Sequence, residues 1–220
     1  MKIQCAVFDF DGTLYDSMYI WESIADKYVL SLGKEPAPTL REEVRPLSLY
    51  QAACHLRTAY DLSLSVEEIM AGINGTIEHF YTQEVLPKPG VRAFLSRMQE
   101  AGIPMCIATA SERSHIEAAL VRCGLDDFFK EIFTCAEVGQ GKDQPDIFRR
   151  AMAHFQAERA TTFVFEDALH AARTAKEDGF TVVGVCDESE SRQRALRDLA
   201  DFYIADFEHA DDFWRALTDT

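Results

Sequence analysis

Two pairs of carboxylates, Asp9 with Asp11 and Glu166 with Asp167, stand with Thr109 and Lys142 as the side chains whose types and spacing could carry chemistry. The first pair follows a short apolar run at 3–8, Thr109 follows another at 103–108, and the second pair follows a third at 162–165. Carboxylates packed together repel and hold protons unless a cation joins them. Magnesium prefers hard oxygen donors and keeps part of its water shell, so a few carboxylates and a substrate phosphate suit it. A carboxylate is also an able nucleophile toward phosphorus. The set therefore predicts phosphoryl transfer. Asp9 attacks, and Asp11 protonates the leaving oxygen and later activates water. Lys142 and the metal neutralise the phosphoryl oxygens. Gly12 permits the tight backbone path that brings amides near the phosphate.

These residues meet only if the apolar runs are strands of one sheet. In parallel α/β sheets, ligands bind beyond the carboxyl ends of the strands. The runs at 3–8, 103–108, 132–134, 162–165, 181–185 and 202–204 predict strands, and helical periodicity predicts helices at 91–101, 111–122, 146–155 and 170–178, with a last helix in the tail. Such alternation implies a doubly wound parallel sheet. Between 15 and 86 nothing reads as a strand. A helix is predicted over 17–32, from the stripe Trp21, Ile24, Ala25, Tyr28 and Leu32, with further helices over 39–85. Ser65 with Glu68 forms a capping-box pattern. The expected fold class is α/β: a core domain of 1–14 and 89–220 and a helical cap domain of 15–88, with Pro87 and Pro89-Gly90 marking a hinge.

The formal net charge of −15 over 220 residues argues against nucleic acid or an anionic membrane surface as partner. It would also repel a phosphorylated substrate, which makes a local positive centre necessary. The six cysteines show no metal-like spacing and fit a reducing cytoplasm. No signal peptide is expected, since Asp9 and Asp11 interrupt the first apolar run after a few residues, and no apolar stretch approaches the length of a membrane span. The expected partner is a small phosphorylated metabolite, with sugar phosphates among the candidates, for a monomer or weak homodimer.

Asp9-Phe10-Asp11-Gly12-Thr13-Leu14 resembles the first signature of the haloacid dehalogenase superfamily. Thr109 resembles its second motif, Lys142 within Gly141-Lys142-Asp143-Gln144-Pro145-Asp146 its third, and Glu166-Asp167 its fourth. The layout is similar to the helical-cap subgroup of phosphoglycolate phosphatase and β-phosphoglucomutase. The resemblance implies a Rossmann-like core in which Asp9 is nucleophile and metal ligand. Asp11 is then the acid/base and offers its backbone carbonyl to Mg²⁺. Thr109, the Ala110 amide and Lys142 hold the phosphoryl group, Glu166 and Asp167 complete the metal site, and the cap excludes water and selects the substrate. The sequence departs from the family at Lys142-Asp143-Gln144-Pro145-Asp146, where Lys-Pro-x-Pro-Asp is common. It departs again at Ala168, where Ser is usual, and at Ala171-Ala172, where a Gly is usual.

The expected activity is a magnesium-dependent phosphatase working through an aspartyl-phosphate. A β-phosphoglucomutase-like mutase is the alternative, opposed by Trp21, where such mutases carry His. A non-catalytic phosphometabolite-binding protein on the same fold is a third reading, opposed by the presence of every reacting residue. Dehalogenation is opposed by Asp11. Among the cap residues, Tyr19, Trp21, Tyr28, Tyr50 and Tyr60 read mostly as packing side chains rather than a substrate lining. Arg41, Arg45 and Arg57 are candidates to reach an anionic substrate. His115, His154 and His170 read as ordinary helix residues.

Overall fold

The computed structural model of the protein describes residues 3–44 and 47–218. The chain divides into two compact units, Met1–Asp16 with Val85–Thr220, and Ser17–Glu84. Strand β1 (Cys5–Phe8) opens the first unit, and the chain then passes into the helices α1 (Tyr19–Ser31), α2 (Leu40–Val44), α3 (Leu49–Ala59) and α4 (Val66–His79) of the second. It continues through α5 (Val91–Glu100), β2 (Met105–Thr109), α6 (Arg113–Cys123), β3 (Phe129–Thr134), α7 (Cys135–Val138), α8 (Asp146–His154), β4 (Thr162–Glu166) and α9 (Leu169–Glu177). The last elements are β5 (Thr181–Val185), α10 (Gln193–Leu199), β6 (Phe202–Ile204) and α11 (Asp211–Thr218).

The six strands form one sheet in the order β3-β2-β1-β4-β5-β6, with every pairing parallel. Strand β1 has no exposed residue, as expected of a strand covered on both faces. Successive side chains point to opposite faces. Cys5 and Val7 join Cys106, Val164 and Val182 in a cluster with Ile147 and Phe148 of α8 and Ala171, Ala172 and Ala175 of α9. Phe8 belongs to an aromatic layer, stacked on Phe165 at 4.2 Å, with Phe94 and Phe213 edge-on or tilted around that pair.

Several expectations need correction. The units divide at 16/17 and 84/85 rather than at 14/15 and 88/89. Tyr15 stacks on Phe10 at 4.1 Å, Asp16 N–H donates to the Leu86 carbonyl at 3.1 Å, and Lys88 N–H donates to the Leu14 carbonyl at 2.8 Å. These bonds tie both connecting segments to the first unit. Strand β3 starts at Phe129, not at 132. It lies at the sheet edge, where Lys130 and Glu131 interrupt the apolar run that marks an interior strand. Helices α7 and α10 were not foreseen, being short and nearly devoid of buried side chains.

The inserted unit consists of helices joined by loops, with no strand among its described residues. Its core joins Ala25, Tyr28 and Val29 of α1 with Leu40, Ala53, Leu56, Ile69 and Ile73. The capping box forms as its spacing predicts: Ser65 Oγ accepts from Glu68 N–H at 3.1 Å, and Glu68 Oε2 accepts from Ser65 N–H at 2.8 Å. The aromatic expectation is only partly met. Tyr28 is buried, and the half-buried Tyr60 accepts from Ala37 N–H at 2.8 Å. Tyr19, Trp21 and Tyr50 are exposed. The buried face of α1 runs through Ile20, Ala25, Tyr28 and Val29, with Ile24 and Leu32 packed against the same core, so of the expected stripe Trp21 alone is exposed. Arg41 is exposed and paired with Asp26 at 2.5 Å, and Arg57 is exposed. Arg45 lies outside the described residues. Among the described residues no helix is long and apolar enough to cross a membrane.

Candidate functional site

Strand order reverses direction at β1, with β2 on one side and β4 on the other. This is the switch point where ligands bind in open parallel sheets. The register pairs Phe8 with Phe165, so Asp9 and Glu166 leave adjacent strands side by side. Asp9 N–H donates to the Phe165 carbonyl at 3.0 Å, which fixes the start of the loop. Lys142 arrives from the segment between α7 and α8, and its Nζ donates to Asp9 Oδ1 and, at 2.6 Å, to Glu166 Oε1. All of these side chains are buried, at 8% exposure for Asp9 and Lys142, 1% for Glu166 and 3% for Asp167. Thr13 Oγ1 donates to Asp167 Oδ1 at 2.9 Å.

Such burial is expensive for charge. Burial and the neighbouring Asp9 push the Glu166 carboxyl up to about 8, against the opposing pull of Lys142. Burial, then Asp9 and Glu166, raise Asp167 well above the carboxylate range. Burial works against the Lys142 ammonium, but Asp9 and Glu166 overcome it and raise its affinity for the proton. One lysine thus faces three acids. Glu166 Oε2 is buried and accepts no hydrogen bond. One oxygen each from Asp9, Glu166 and Asp167 lie within 4.8 Å of one another. Hard oxygens at that spacing, an excess of negative charge and an orphaned carboxylate oxygen fit a divalent cation such as magnesium.

A second group of residues lies on the β1 and β2 loops. Gly12 adopts φ +78°, a left-handed conformation that glycine takes without strain. Its N–H donates to the Tyr15 carbonyl at 3.0 Å, closing the loop. Thr109 ends β2, fully buried, and its Oγ1 accepts from Ser111 N–H at 3.0 Å. Ser111 Oγ donates to Asp11 Oδ2 at 2.6 Å. Ala110 is exposed between them. Asp11, Thr109 and Ser111 are therefore linked as one group, and Asp9, Lys142, Glu166 and Asp167 as another. Both spring from the carboxyl ends of β1, β2 and β4.

Sequence reasoning assigned no role to Thr13 or Ser111, though both adjoin residues it singled out. It missed Asp187 altogether. This acid follows β5, is buried, and pairs with Lys88 at 2.8 Å. Lys88 Nζ also donates to the Cys186 carbonyl at 2.7 Å, and Asp187 Oδ1 accepts from Ser189 N–H at 2.9 Å and Oγ at 2.5 Å. Burial alone would raise Asp187, but Lys88 and Ser189 hold it below the usual range, and its charge in turn raises Asp167. The rule that found the other acids would have found Asp187 had it been carried to the end of the fifth strand.

The model of the family described as haloacid dehalogenase-like hydrolase matches residues 6–185. A bifunctional riboflavin kinase/FMN phosphatase of Arabidopsis thaliana is 25% identical over 82% of this chain, and the match spans 48% of that protein, about half its length. A provisionally named pseudouridine-5′-phosphatase of Drosophila melanogaster is 27% identical, over 91% of this chain and 92% of that protein. The crystal structure of a provisionally named β-phosphoglucomutase from Thermotoga maritima superposes with a TM-score of 0.84 over 98% of this chain and 99% of that one. At 21% identity that is a likeness of fold.

Proposed function

The chain belongs to the haloacid dehalogenase-like hydrolase family, and on that premise we propose that it is a phosphatase that cleaves small phosphorylated metabolites through a phosphorylated Asp9. The observation that carries the reading is the buried meeting of Asp9, Lys142, Glu166 and Asp167, with one carboxylate oxygen left unbonded. Relatives named as phosphatases support it.

Asp9 attacks phosphorus and the bond to the leaving oxygen breaks, with Asp11 giving that oxygen a proton. Ser111 holds the Asp11 carboxylate through its hydroxyl. Asp11 then takes a proton from water, and the hydroxide so formed displaces phosphate from Asp9. Lys142 orients the nucleophile and, with Thr109, the Ala110 amide and the Gly12 loop, binds the phosphoryl oxygens. Asp9, Glu166, Asp167 and the Asp11 backbone carbonyl would hold Mg²⁺, which when bound offsets the charge of the transferring group. The inserted helical unit takes the part of the substrate-selecting cap, with exposed Trp21 and Tyr50 as side chains to test. A cytoplasmic setting agrees with the six free cysteines.

Trp21, where the resembling mutases carry His, disfavours a mutase. The test is inorganic phosphate release from sugar phosphates, phosphoglycolate, polyol phosphates, FMN and pseudouridine 5′-phosphate, with and without chelator. At least one substrate is turned over, and both chelation and Asp9→Asn abolish turnover. Full activity in Asp9→Asn contradicts the proposal.

A further inference from the structure

Helix α9 begins directly after Glu166-Asp167, so its first turn sets the direction in which those carboxylates leave the sheet. A helix start presents unpaired backbone N–H groups, usually capped by the side chain of Ser, Thr, Asp or Asn just before it. Here the N-cap residue is Ala168, which has no group to offer. The first amide of the helix is nevertheless not left open. Leu169 N–H donates at 3.0 Å to Glu190 Oε2, from the loop that follows β5.

Glu190 is held in turn. Its Oε1 accepts from Arg192 N–H at 2.9 Å and Nε at 3.4 Å, and its own N–H donates to the Asp187 carbonyl at 3.2 Å. Its side chain is only 11% exposed. Burial would raise its carboxyl, but the Leu169 and Arg192 amides and the Arg192 side chain keep it below the usual range. A fixed negative charge at a helix N-terminus is also favoured by the helix dipole. The first amide of α9, at 169, is thus satisfied by a carboxylate from a separate loop, directly beside the proposed metal site.

We propose that Glu190 is a positioning residue for the metal site: it supplies from the β5 loop the N-terminal cap that Ala168 lacks, and so holds Glu166 and Asp167 in the geometry that takes a divalent cation. The inference rests on the reading of those acids as metal ligands. Glu190 itself touches neither metal nor substrate.

The test measures Mg²⁺ binding to the metal-free full chain by titration calorimetry, beside melting in chelator. Glu190→Ala weakens Mg²⁺ binding by about 10- to 100-fold, as outer-shell changes do. Glu190→Gln keeps an acceptor for Leu169 N–H and loses only about two- to fivefold, the share of the helix-end charge. If Glu190→Ala does not fold, Glu190→Gln carries the comparison. The inference is overturned if Glu190→Ala melts earlier yet binds Mg²⁺ as the parent does, or if Glu190→Gln binds Mg²⁺ no more weakly than the parent. If the parent chain binds no Mg²⁺, the proposed metal site falls first, and this inference with it.

Discussion

Two clusters in the same α/β unit use nearly the same side chains to opposite ends. At the edge strand, Arg113 of α6 bonds Glu137 through Nε at 2.7 Å and through a second nitrogen at 2.9 Å, and also pairs with Glu131 at 3.4 Å and Glu117 at 3.7 Å. That cluster lies at the surface, and its bonds from Arg113 hold the Glu137 carboxyl down at about 2. At the switch point, Lys142 pairs with the two acids Asp9 and Glu166, yet Glu166 is pushed up to about 8 and one of its oxygens has no partner. The fork of an arginine can satisfy a carboxylate on both oxygens, whereas an ammonium acts as a point charge. Burial then magnifies the shortfall. The edge cluster gives both Glu137 oxygens a partner, while the central one holds more acid than base and leaves Glu166 Oε2 without a hydrogen bond, an arrangement that fits a cation.

The largest expected contrast comes from removing each cation. Lys142→Met lowers kcat for phosphate release by about 100- to 1,000-fold, the scale of losing one aimed electrostatic donor. Arg113→Ala leaves kcat within about twofold and lowers stability by no more than about 1 kcal/mol, as is usual for exposed pairs. Steady-state kinetics and denaturant melts on the two variants check both outcomes, and equal kinetic losses would erase the contrast.

The next effect separates the clusters by pH. Glu166 has a folded pKa above its ordinary 4.5, so the folded state keeps a proton that the unfolded chain gives up. By linkage, this group makes metal-free stability fall as pH rises from about 5 to about 8, with Asp167 acting in the same direction. Glu137 has the opposite sign: its contribution is present above its unfolded value of 4.5 and is lost as pH falls toward 2. Thermal melts in chelator across pH 5–8 should decline in the parent and flatten in Glu166→Gln. Melts below pH 4.5 should lose their steepness in Glu137→Gln. A parent whose stability rises from pH 5 to 8 would break the comparison.

Smaller effects sharpen it. Lys88→Met strands the buried Asp187 charge, and breaking a buried pair costs about 3–5 kcal/mol, reduced here by the part of Lys88 that reaches solvent. Its kinetic effect falls on the Mg²⁺ requirement, because Asp187 acts on the site through its field on Asp167 and through the Glu190 N–H that its carbonyl accepts. Ser111→Ala removes one hydrogen bond from Asp11, worth about 1.5–3 kcal/mol to a charged group, and should lower kcat several-fold with little change in KM.

Most of the central cluster was legible in the sequence because each member follows an apolar run, and parallel strands deliver their ends to one rim. Asp9, Asp11, Thr109 and Glu166-Asp167 were found in this way. Lys142 was harder, since it leaves from a turn between helices and its role depends on the acids it meets. The bonds from Thr13 to Asp167 and from Ser111 to Asp11 lay beyond the pattern, because a hydroxyl gives no signal until its partner's place is known. Glu190 was invisible for a deeper reason. Ala168 announces a missing cap, but nothing local says that an acid 21 positions along the chain fills it. In the inserted unit the helical period and most of its phase were readable: Ile24, Ala25, Tyr28 and Leu32 face the core, and only Trp21, at the margin of the stripe, is exposed, with Ile20 buried beside it.

The central claim is that the buried acids at the switch point are completed by a divalent cation. Titrating Mg²⁺ into the metal-free protein near pH 7, in two buffers of different ionisation enthalpy, measures the ion and the released protons together. The account predicts saturable binding accompanied by proton release, since Glu166 must give up the proton that its surroundings retain to about pH 8 before it can ligate. Binding without proton release, or no saturable binding at all, would contradict it.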